Sequence, residues 1–317
     1  MKAVVYDNYG EPEVLQLREI PEPEIGTREC LVKVAAVSVN PSDWKTLAGK
    51  WRFATGNRFP RPTGIDFSGT IERTGEKVTR FRVGEAVMGS VIPLRKGCLA
   101  EYVAVAESHL GRIPDNVPPV DASGIPVACS TAYVGLRHRR KGLRGKRVLL
   151  TGGGGGVGQF VIQLGRVFGA HITAVCSEGK VKLCRALGAD RVLDYGTTDP
   201  LKTGETYDLV FNCASSMSYR EAKTILNPGG EYLLLDTQGR IWLFAYSLFS
   251  QITPGRRMWA FLVGPDGTRY DLLAAMIENN DLKVIVGSRY PIERAAAAYR
   301  ENKNGHATGK IIITVSG

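Results

Sequence analysis

The chain has 317 residues, of which 44% are hydrophobic and 23% are charged. That apolar share is too high for a disordered chain and is enough for one large or two ordinary domains. No window reaches the ~18 apolar residues of a membrane-spanning helix, so stable membrane insertion is not expected. The longest apolar stretch, residues 241–249, is about half that length and is interpreted as a buried element or the wall of a lipophilic pocket.

The charge balance is strongly basic, with 41 Lys and Arg against 31 Asp and Glu, a net charge of +10. Seven of the basic residues fall within residues 137–147. Such a cluster is compatible with nucleic-acid binding, but no aromatic residues interleave with it to stack bases. Attraction of an anionic cofactor is the simpler use of the charge, so nucleic-acid binding is not expected.

The six cysteines form no CxxC pair, and several lie inside apolar runs. The N-terminus resembles a strand and has neither the apolar core nor the cleavage site of a secretory signal. Both features predict reduced, mostly buried thiols and a cytoplasmic protein.

Three short alternating runs, at 31–39, 69–73 and 100–105, are separated by Gly- and Pro-containing turns. They predict a mostly antiparallel β domain over the first ~120 residues. The last ~45 residues predict a helix at 270–280, a strand at 282–286, a helix at 294–299 and a final strand at 310–315 that rejoins this domain. The predicted boundaries are 1–122 with 268–317 for the β domain and 123–267 for a second domain.

Strand-like and helix-like runs alternate strictly in the second domain, which predicts a parallel, doubly wound α/β sheet. A helix is expected after the glycine run at 152–156, ending at Gly169, and another before Pro228-Gly229-Gly230. The predicted strands are 147–151, 172–176, 191–194, 209–213 and 232–235.

The sharpest motif is Gly153-x-Gly155-x-x-Gly158, between a predicted strand and a predicted helix. Glycines there allow a tight turn, a close approach of the backbone to a pyrophosphate and close packing of helix on strand. The helix N-terminus then offers free N–H groups to the phosphates. The pattern predicts a dinucleotide site on Gly153, Gly155, Gly156, Val157 and Gly158.

The end of the next predicted strand favours NADPH over NADH. An NAD-preferring protein usually carries an acidic residue about 20 residues after the glycine motif, where it binds the ribose hydroxyls. Ser177 lies 19 residues after Gly158, and Lys180 follows with a positive charge for a 2′-phosphate. Glu178 complicates this prediction, because a shift of one residue would place it at the ribose.

Several segments, in order, resemble zinc-independent quinone oxidoreductases and enone reductases of the medium-chain dehydrogenase/reductase superfamily, over nearly the whole chain. These segments are 40–45 (NPSDWK), 64–69 (GIDFSG), 84–89 (GEAVMG), 130–133 (STAY), 188–190 (GAD) with 194–195 (DY), and 305–310 (GHATGK).

The resemblance implies a GroES-like catalytic domain, a Rossmann domain, an active cleft between them and a homodimer. It implies that Ser177, Lys180 and Tyr195 surround the adenosine 2′-phosphate. Asn40 and Thr131 would lie near the nicotinamide, and Lys310 would also reach the cofactor. Leu235, at the end of the last predicted Rossmann strand, completes the expected cofactor-binding residues.

The positions that hold catalytic zinc in related dehydrogenases correspond here to Asn40, Ile65 and Val127, which cannot form a tetrahedral N/S site. Without a Lewis acid, reduction of a quinone or an α,β-unsaturated carbonyl is easier than oxidation of an alcohol, because conjugation spreads the charge that hydride addition creates.

Asn40, Lys45 and Trp51 are the candidate catalytic residues. Asn40 would orient the substrate oxygen or the nicotinamide amide, although capping a turn is an open alternative. Tyr6, Lys45 and solvent are candidate proton donors, and Trp51 with Phe53 either lines the acceptor pocket or packs in the core.

The sequence therefore predicts an NADPH-dependent quinone or enone reductase. A 2-enoyl thioester reductase is the nearest enzymatic alternative. An NADPH-binding regulatory or RNA-interacting protein with little turnover is the alternative from another class, and it depends on the basic residues at 137–147.

Overall fold

The structure is a computed structural model that describes residues 1–92, 96–137, 142–235, 242–251 and 255–315. The chain divides into two compact units. The first contains Met1–Ser130 and Gly264–Gly317, and the second contains Thr131–Val263.

In the described ranges the chain forms sixteen β-strands and ten α-helices. The strands are β1 (Lys2–Tyr6), β2 (Gln16–Glu19), β3 (Glu29–Val39), β4 (Arg61–Pro62), β5 (Asp66–Thr74), β6 (Ala86–Ser90), β7 (Tyr102–Ala106), β8 (Leu110–Arg112), β9 (Arg147–Thr151), β10 (His171–Cys176), β11 (Arg191–Asp194), β12 (Tyr207–Asn212), β13 (Leu226–Leu234), β14 (Arg257–Ala260), β15 (Val286–Pro291) and β16 (Lys310–Thr314). The helices are α1 (Pro41–Leu47), α2 (Arg52–Thr55), α3 (Pro119–Ala122), α4 (Pro126–Arg137), α5 (Gly158–Val167), α6 (Val181–Ala186), α7 (Tyr219–Ile225), α8 (Trp242–Ser250), α9 (Gly267–Glu278) and α10 (Ala295–Lys303).

The first unit is built on a seven-stranded sheet with the order β15-β16-β3-β5-β6-β8, in which β7 also pairs with β3. All of its pairings are antiparallel except that of β15 with β16. Strand β16 pairs with β3, with Ile311 opposite Val39, which confirms that the C-terminal strand rejoins the first domain. A smaller sheet, β2-β1-β4, completes the unit.

The core of the first unit follows from the alternation of apolar residues along its strands. Val32, Val34 and Phe67 are almost fully buried and pack in one cluster with Tyr299 of α10. Helix α1 begins next to this core, because Asn40 directly follows β3 and caps the helix: its backbone N–H donates to the Asp43 carboxylate at 2.7 Å. This turn positions Asn40 and Asp43 inside the unit, where both are buried.

The second unit has a parallel six-stranded sheet with the order β11-β10-β9-β12-β13-β14, which confirms the predicted doubly wound sheet. The order changes direction between β9 and β12, and ligands of such sheets bind at the carboxyl ends of the strands there. Helix α5 buries Phe160, Val161 and Leu164 on this sheet. It ends as predicted before Gly169, whose φ of 74° lies in the left-handed region.

One sequence prediction of secondary structure was wrong. The strand expected at 282–286 begins only at Val286, because its pairing partner, β16, lies opposite the polar residues Ser288 and Arg289. The helix expected before Pro228-Gly229-Gly230 is confirmed as α7, which ends at Ile225, and this glycine-containing segment itself lies within β13. Strand β12 pairs first with Leu226 and then with Glu231, so the residues between them form an irregularity in the strand.

Helix α8 shows that residues 241–249 do not form a buried element, the first of their two interpretations, while the second, the wall of a lipophilic pocket, stays a prediction; Ile241 itself lies outside the described residues. Leu248 is 73% exposed and Phe249 is 59% exposed. Ser247 and Ser250 are buried instead, since their hydroxyls bond to the backbone of β14. In the described parts of the chain, no helix combines the length and the apolar composition that crossing a membrane requires.

Candidate functional site

The glycine loop connects β9 to α5 at the carboxyl edge of the parallel sheet. Strand β9 ends at Thr151, and Gly152 turns the chain with a φ of 73°. The N–H of Gly153 then donates to the carbonyl of Val175 on β10 at 3.0 Å, which ties the loop to the neighbouring strand. In the first turn of α5, the N–H groups of Gln159 and Phe160 donate to the carbonyls of Gly155 and Val157 at 3.1 and 3.0 Å, so the start of the helix is closed onto the loop.

Packing requires glycine at one position of the loop and leaves little room for a side chain at a second. A Cβ on Gly158 would lie 2.1 Å from the carbonyl oxygen of Gly152, which is far inside a van der Waals contact. A Cβ on Gly153 would lie 3.0 Å from the Cβ of Ala174 and 3.2 Å from the sulfur of Cys184. The loop is therefore folded on itself so tightly that only glycine lets helix and strand approach this closely.

Ser177, Lys180 and Tyr195 lie beside this loop. Strands β10 and β11 end in register, with Cys176 opposite Asp194, so Ser177 and Tyr195 follow neighbouring strand ends. The N–H of Tyr195 donates to the carbonyl of Cys176 at 3.1 Å. Its side chain is 57% exposed. The sheet thus brings together three residues that the resemblance assigns to one phosphate.

The stem of Lys180 covers the glycine loop. A Cβ on Gly154 would lie 2.7 Å from Cδ of Lys180. Burial lowers the pKa of this ammonium, while the Cys176 and Cys184 thiols act in the opposite direction. Glu178, one residue after Ser177, is exposed. A flexible cation, a hydroxyl and a glycine loop that lets the backbone approach closely are what a dinucleotide phosphate site requires, so these residues fit an NADP-type cofactor.

A buried polar network that the sequence did not reveal lies where the strand order changes direction. The hydroxyl of Thr151 donates to Oδ1 of Asn212 at 2.7 Å. Nδ2 of Asn212 donates to the carbonyl of Met217 and to the hydroxyl of Tyr232, both at 2.7 Å. The signal available in the sequence was an asparagine at the end of an apolar strand. Because its partners lie on β9 and β13, the network fixes the edge on which the loop rests.

Two further predicted cofactor residues lie in the second unit. Leu235 follows β13 and is half-buried. Thr131 lies in α4, also half-buried. Their roles stay predictions.

The candidate catalytic residue Asn40 belongs to a buried charged cluster in the first unit. Nζ of Lys310 donates to Oδ1 of Asn40 at 2.7 Å, and Nδ2 of Asn40 donates to Oδ2 of Asp66 at 2.9 Å. Lys310 Nζ and Asp66 Oδ2 are 3.9 Å apart. The lysine side chain is 2% exposed and the aspartate is fully buried. The structure therefore joins two predicted site residues, Asn40 and Lys310, and adds Asp66 to them.

Asp66 is held by two further donors, both at longer distances. Its carboxylate accepts from the Ser38 hydroxyl at 3.3 Å and from the backbone N–H of Val127 at 3.2 and 3.3 Å. Burial raises the pKa of Asp66 to about 6, against the opposing effects of Lys310 and these hydrogen bonds. Asp66 is therefore mostly ionised at pH 7 and is the counter-ion of Lys310.

Asp43 is the second acid of the cluster. Burial raises its pKa to about 8, the Asn40 hydrogen bond lowers it, and the nearby Asp66 raises it further. Burial also lowers the pKa of Lys310, although both aspartates oppose this. Because Asp43 is held in its neutral form, Lys310 and Asp66 form the one close pair of opposite charge in this cluster when both are ionised, and such a set carries no net charge, as a dry interior requires. The sequence placed both acids in recognised segments but gave no sign that they were buried.

The contacts of the other candidate catalytic residues are aromatic. Lys45 has its ammonium 5.2 Å from the centre of the Trp44 ring. Trp51 lies 6.1 Å from Phe53, whose side chain is 69% exposed. Burial raises the pKa of Tyr6, a candidate proton donor, to about 12, which makes it a weak acid. The catalytic roles of Lys45 and Trp51 stay predictions.

At the three positions that correspond to zinc ligands in related dehydrogenases, the side chains are an amide and two aliphatic groups. Asn40 and Ile65 are buried, and Val127 contributes its backbone N–H to Asp66. Cys129 is a buried free thiol whose pKa burial raises. Within the described residues, no three His, Cys, Asp or Glu side chains converge as metal ligands would.

The basic stretch at 137–147 is only partly described, since residues 138–141 lie outside the described ranges. Within the rest, Arg137 lies over the ring of Tyr133. Lys146 and Arg147 contact Asp208, the lysine through an ion pair and the arginine through its backbone N–H. These contacts are local and favour no nucleic-acid ligand.

Comparisons with protein families give matches in both units. Residues 26–115 match the family model described as "Alcohol dehydrogenase GroES-like domain". Residues 187–313 match the model described as "Zinc-binding dehydrogenase", a range that includes none of the three positions considered above for zinc.

Whole-chain relatives agree with these matches. "Quinone-oxidoreductase QR1, chloroplastic" of Triphysaria versicolor is 33% identical over 99% of this chain and 98% of its own length. "NADPH-dependent alkenal/one oxidoreductase, chloroplastic" of Arabidopsis thaliana is 34% identical over 99% of this chain and 79% of its own length. Among solved structures, the quinone oxidoreductase from Coxiella burnetii is 26% identical and covers 100% of this chain and 99% of its own, with a TM-score of 0.91. The protein is an oxidoreductase, and the chain belongs to the zinc-independent quinone oxidoreductase and enone reductase family of the medium-chain dehydrogenase/reductase superfamily.

Proposed function

We propose that this protein uses NADPH to reduce a quinone or an α,β-unsaturated carbonyl without zinc. The observation that carries the proposal is the contact between Lys310 and Asn40. At the position that the resemblance assigns to the reacting centre, an amide is held by a buried ammonium and its counter-ion Asp66. In this proposal the Lys310 ammonium, paired with Asp66, takes the place of the metal ion of related enzymes.

The chemistry requires such a charge. Bound at the glycine loop, the cofactor supplies a hydride. Hydride addition to an enone or quinone leaves negative charge on the carbonyl oxygen, and a preorganised cation or hydrogen-bond donor stabilises that oxygen most in a dry site. Lys310 is the cation in this proposal, and Asn40 fixes its position at 2.7 Å. Burial of both side chains excludes the water that would weaken the interaction.

The preference for NADPH is proposed from Ser177 and Lys180. The lysine packs on Gly154 and belongs to the same sheet edge as Ser177 and Tyr195. A lysine and a hydroxyl favour a 2′-phosphate, whereas an NAD site would need an acidic side chain bonded to the ribose. The relative named an NADPH-dependent alkenal/one oxidoreductase supports this choice.

The choice of acceptor rests on the names of relatives, which include quinone oxidoreductases and an alkenal/one reductase. An enoyl thioester stays the alternative acceptor, since hydride addition to it leaves the same kind of oxyanion. A homodimer and a cytoplasmic location also stay predictions.

The test follows NADPH absorbance with ortho-quinones, para-quinones, enones and enoyl thioesters, before and after treatment with a chelator. We expect turnover of at least one quinone or enone, unchanged by chelation. Tight NADPH binding with no turnover of any acceptor would favour the regulatory alternative. Activity that chelation removes and zinc restores would refute the metal-free reaction.

A further inference from the structure

The surface beside helix α1 carries positive charge that nearby acids do not balance. Between Asp43 and Asp66, which are both buried, the sequence contains no acid. The same stretch contains five basic residues: Lys45, Lys50, Arg52, Arg58 and Arg61. A local excess of one sign of charge attracts small ions of the opposite sign, so this stretch favours an anionic ligand.

Three of these cations differ from many other surface cations of the first unit. Several of the others form ion pairs with acids; they are Arg18, Arg73, Arg80, Lys96, Arg289, Arg300 and Lys303. Lys50, Arg52 and Arg58 are exposed, and none of them forms an ion pair with another described residue. Their charges are therefore available to a ligand.

The turn that ends α1 places two ammonium groups over the same aromatic ring. Gly49 has a φ of 73°, and the N–H of Lys50 donates to the carbonyl of Lys45 at 3.0 Å. The ammoniums of Lys45 and Lys50 lie 5.2 and 5.5 Å from the centre of the Trp44 ring, which packs against the core of the unit. The glycine turn therefore returns Lys50 to the helix and holds its charge at a defined place.

Helix α2 continues this surface with two aromatic side chains. The N–H of Arg52 donates to the carbonyl of Gly49 at 3.1 Å, so α2 begins directly at the glycine turn. The rings of Trp51 and Phe53 are 6.1 Å apart, and the Phe53 side chain is 69% exposed. Exposed aromatic rings next to unpaired cations offer both apolar contact and charge, which is the usual composition of a small-molecule site.

The end of α2 is anchored to the rest of the unit. The hydroxyl of Tyr9 bonds to the hydroxyl of Thr55 at 2.5 Å and donates to the carbonyl of Gly56. The guanidinium of Arg61 donates to the carbonyl of Thr55, and the ring of Phe59 lies 5.2 Å from that of Tyr9. A ligand that binds to α2 therefore meets an ordered surface, and less ordering entropy is lost on binding.

We propose that the acceptor of this enzyme carries an anionic group, such as a carboxylate. Lys50 and Arg52 bind this group, and Trp51 and Phe53 pack against the apolar part of the acceptor that joins it to the reacting carbonyl. Arg58 adds to the attraction without a contact of its own.

The inference rests on the proposed function, because Asn40 marks the reacting centre there. Asn40 is the N-cap of α1, and the cations follow the other end of this seven-residue helix. A helix of that length spans about 10 Å, which sets the separation between the carbonyl and the anionic group of the acceptor.

The test compares two quinones that share one ring and one alkyl chain of that length, which ends in a carboxylate or in the methyl ester of that carboxylate. With NADPH, we expect kcat/KM to be about fivefold higher for the acid, as two exposed ion pairs of ordinary strength provide. High salt should reduce the ratio of acid to ester, because it screens exposed charges. Equal kcat/KM for acid and ester at low salt would overturn the proposal.

Matched variants locate the effect. Lys50→Gln combined with Arg52→Gln should bring the ratio of acid to ester close to one. Lys33→Gln combined with Arg28→Gln removes two exposed cations elsewhere in the same unit and should keep the ratio of the parent. Arg52→Glu, which reverses one charge, should lower the ratio further than Arg52→Gln does. An equal fall of the ratio in both double variants would mean that net charge alone attracts the acid, and it would overturn the contact.

A binding measurement separates this inference from the proposed function. In the complex with oxidised cofactor no hydride is transferred, and calorimetric titration gives the dissociation constants of acid and ester. Tighter binding of the acid, lost on changing Lys50 and Arg52 to Gln, supports the site. Equal dissociation constants overturn it even if the enzyme reduces both quinones. A protein that binds the acid more tightly but reduces no acceptor overturns the proposed function and leaves the anion site supported.

Discussion

Nζ of Lys310 lies 2.7 Å from Oδ1 of Asn40, although 270 residues separate them along the chain. The contact exists because the last strand, β16, lies next to β3, which Asn40 directly follows. It buries an ammonium and its counter-ion Asp66 together, so each depends on the other for stability.

Removal of the lysine charge tests this dependence. In Lys310→Met the Asp66 carboxylate loses its counter-ion, and we expect the free energy of unfolding at pH 7 to fall by about 3 kcal/mol. Lys303→Met, which breaks a surface pair with Glu11, should cost less than about 1 kcal/mol. Urea unfolding of Lys310→Met, Asp66→Asn and the variant that carries both changes gives the coupling energy between the two side chains. Strictly additive effects of Lys310→Met and Asp66→Asn would contradict the contact.

The chain pattern predicted the nucleotide-binding part of the fold well, because its signals are local. The glycine loop, the helix that ends at Gly169 and strand β11 are each specified by a few consecutive residues. The irregularity in β13 was missed since it depends on where β12 lies, which residues 226–231 do not encode by themselves. The same holds for β15, whose pairing with β16 outweighs the apolar run before it.

The sequence predicted two residues of the candidate site but not the contacts between its residues. Asn40 and Lys310 were both chosen from motifs, yet nothing in either motif indicated that they touch. Asp43 and Asp66 were present in the same motifs and were not chosen, because an aspartate in a sequence is far more often exposed than buried. Their burial depends on elements that are distant in the sequence, such as the strand that carries Lys310. The spacing of apolar residues along the chain does not indicate such long-range contacts.

The contact of Lys180 with the glycine loop leads to a cofactor-specific effect. Lys180→Ala removes a cation beside the proposed 2′-phosphate, so the dissociation constant for NADPH should rise at least about tenfold, as loss of a hydrogen bond to a charged group does. The constant for NADH, which has no such phosphate, should change little. Lys182→Ala, an exposed neighbour, is the control. Fluorescence titration measures all three proteins, and equal weakening of both cofactors by Lys180→Ala would argue against the phosphate contact.

Packing of the glycine loop leads to a second effect on cofactor binding. Gly158→Ala places a Cβ 2.1 Å from the Gly152 carbonyl oxygen, so the loop must move and the start of α5 moves with it. Strain of this kind costs about 1–3 kcal/mol, and NADPH affinity should fall with the displaced N–H groups. Gly179→Ala is the matched control, since a Cβ there meets nothing within 4 Å. NADPH affinity of Gly158→Ala equal to that of the control would show that the loop does not bind the phosphates.

The buried acid Asp43 should make stability depend on pH in a defined direction. Its pKa rises from 3.8 to about 8 on folding, so between these values the native state binds more protons than the unfolded state. The free energy of unfolding therefore decreases as pH rises from about 4 to about 8, and the full penalty of the buried charge is present above 8. Asp43→Asn has no such titration, so its free energy of unfolding relative to that of the parent should increase across this window. Asp66 is present in both proteins, so its own titration largely cancels when the two free energies are subtracted. Urea unfolding at intervals from pH 5 to pH 9 measures the effect, with Asp7→Asn, a change at an exposed acid of the same unit, expected to follow the parent. If the free energies of unfolding of the parent and Asp43→Asn change with pH in parallel, then Asp43 titrates normally. In that case Asp43 is not held in its neutral form at pH 7.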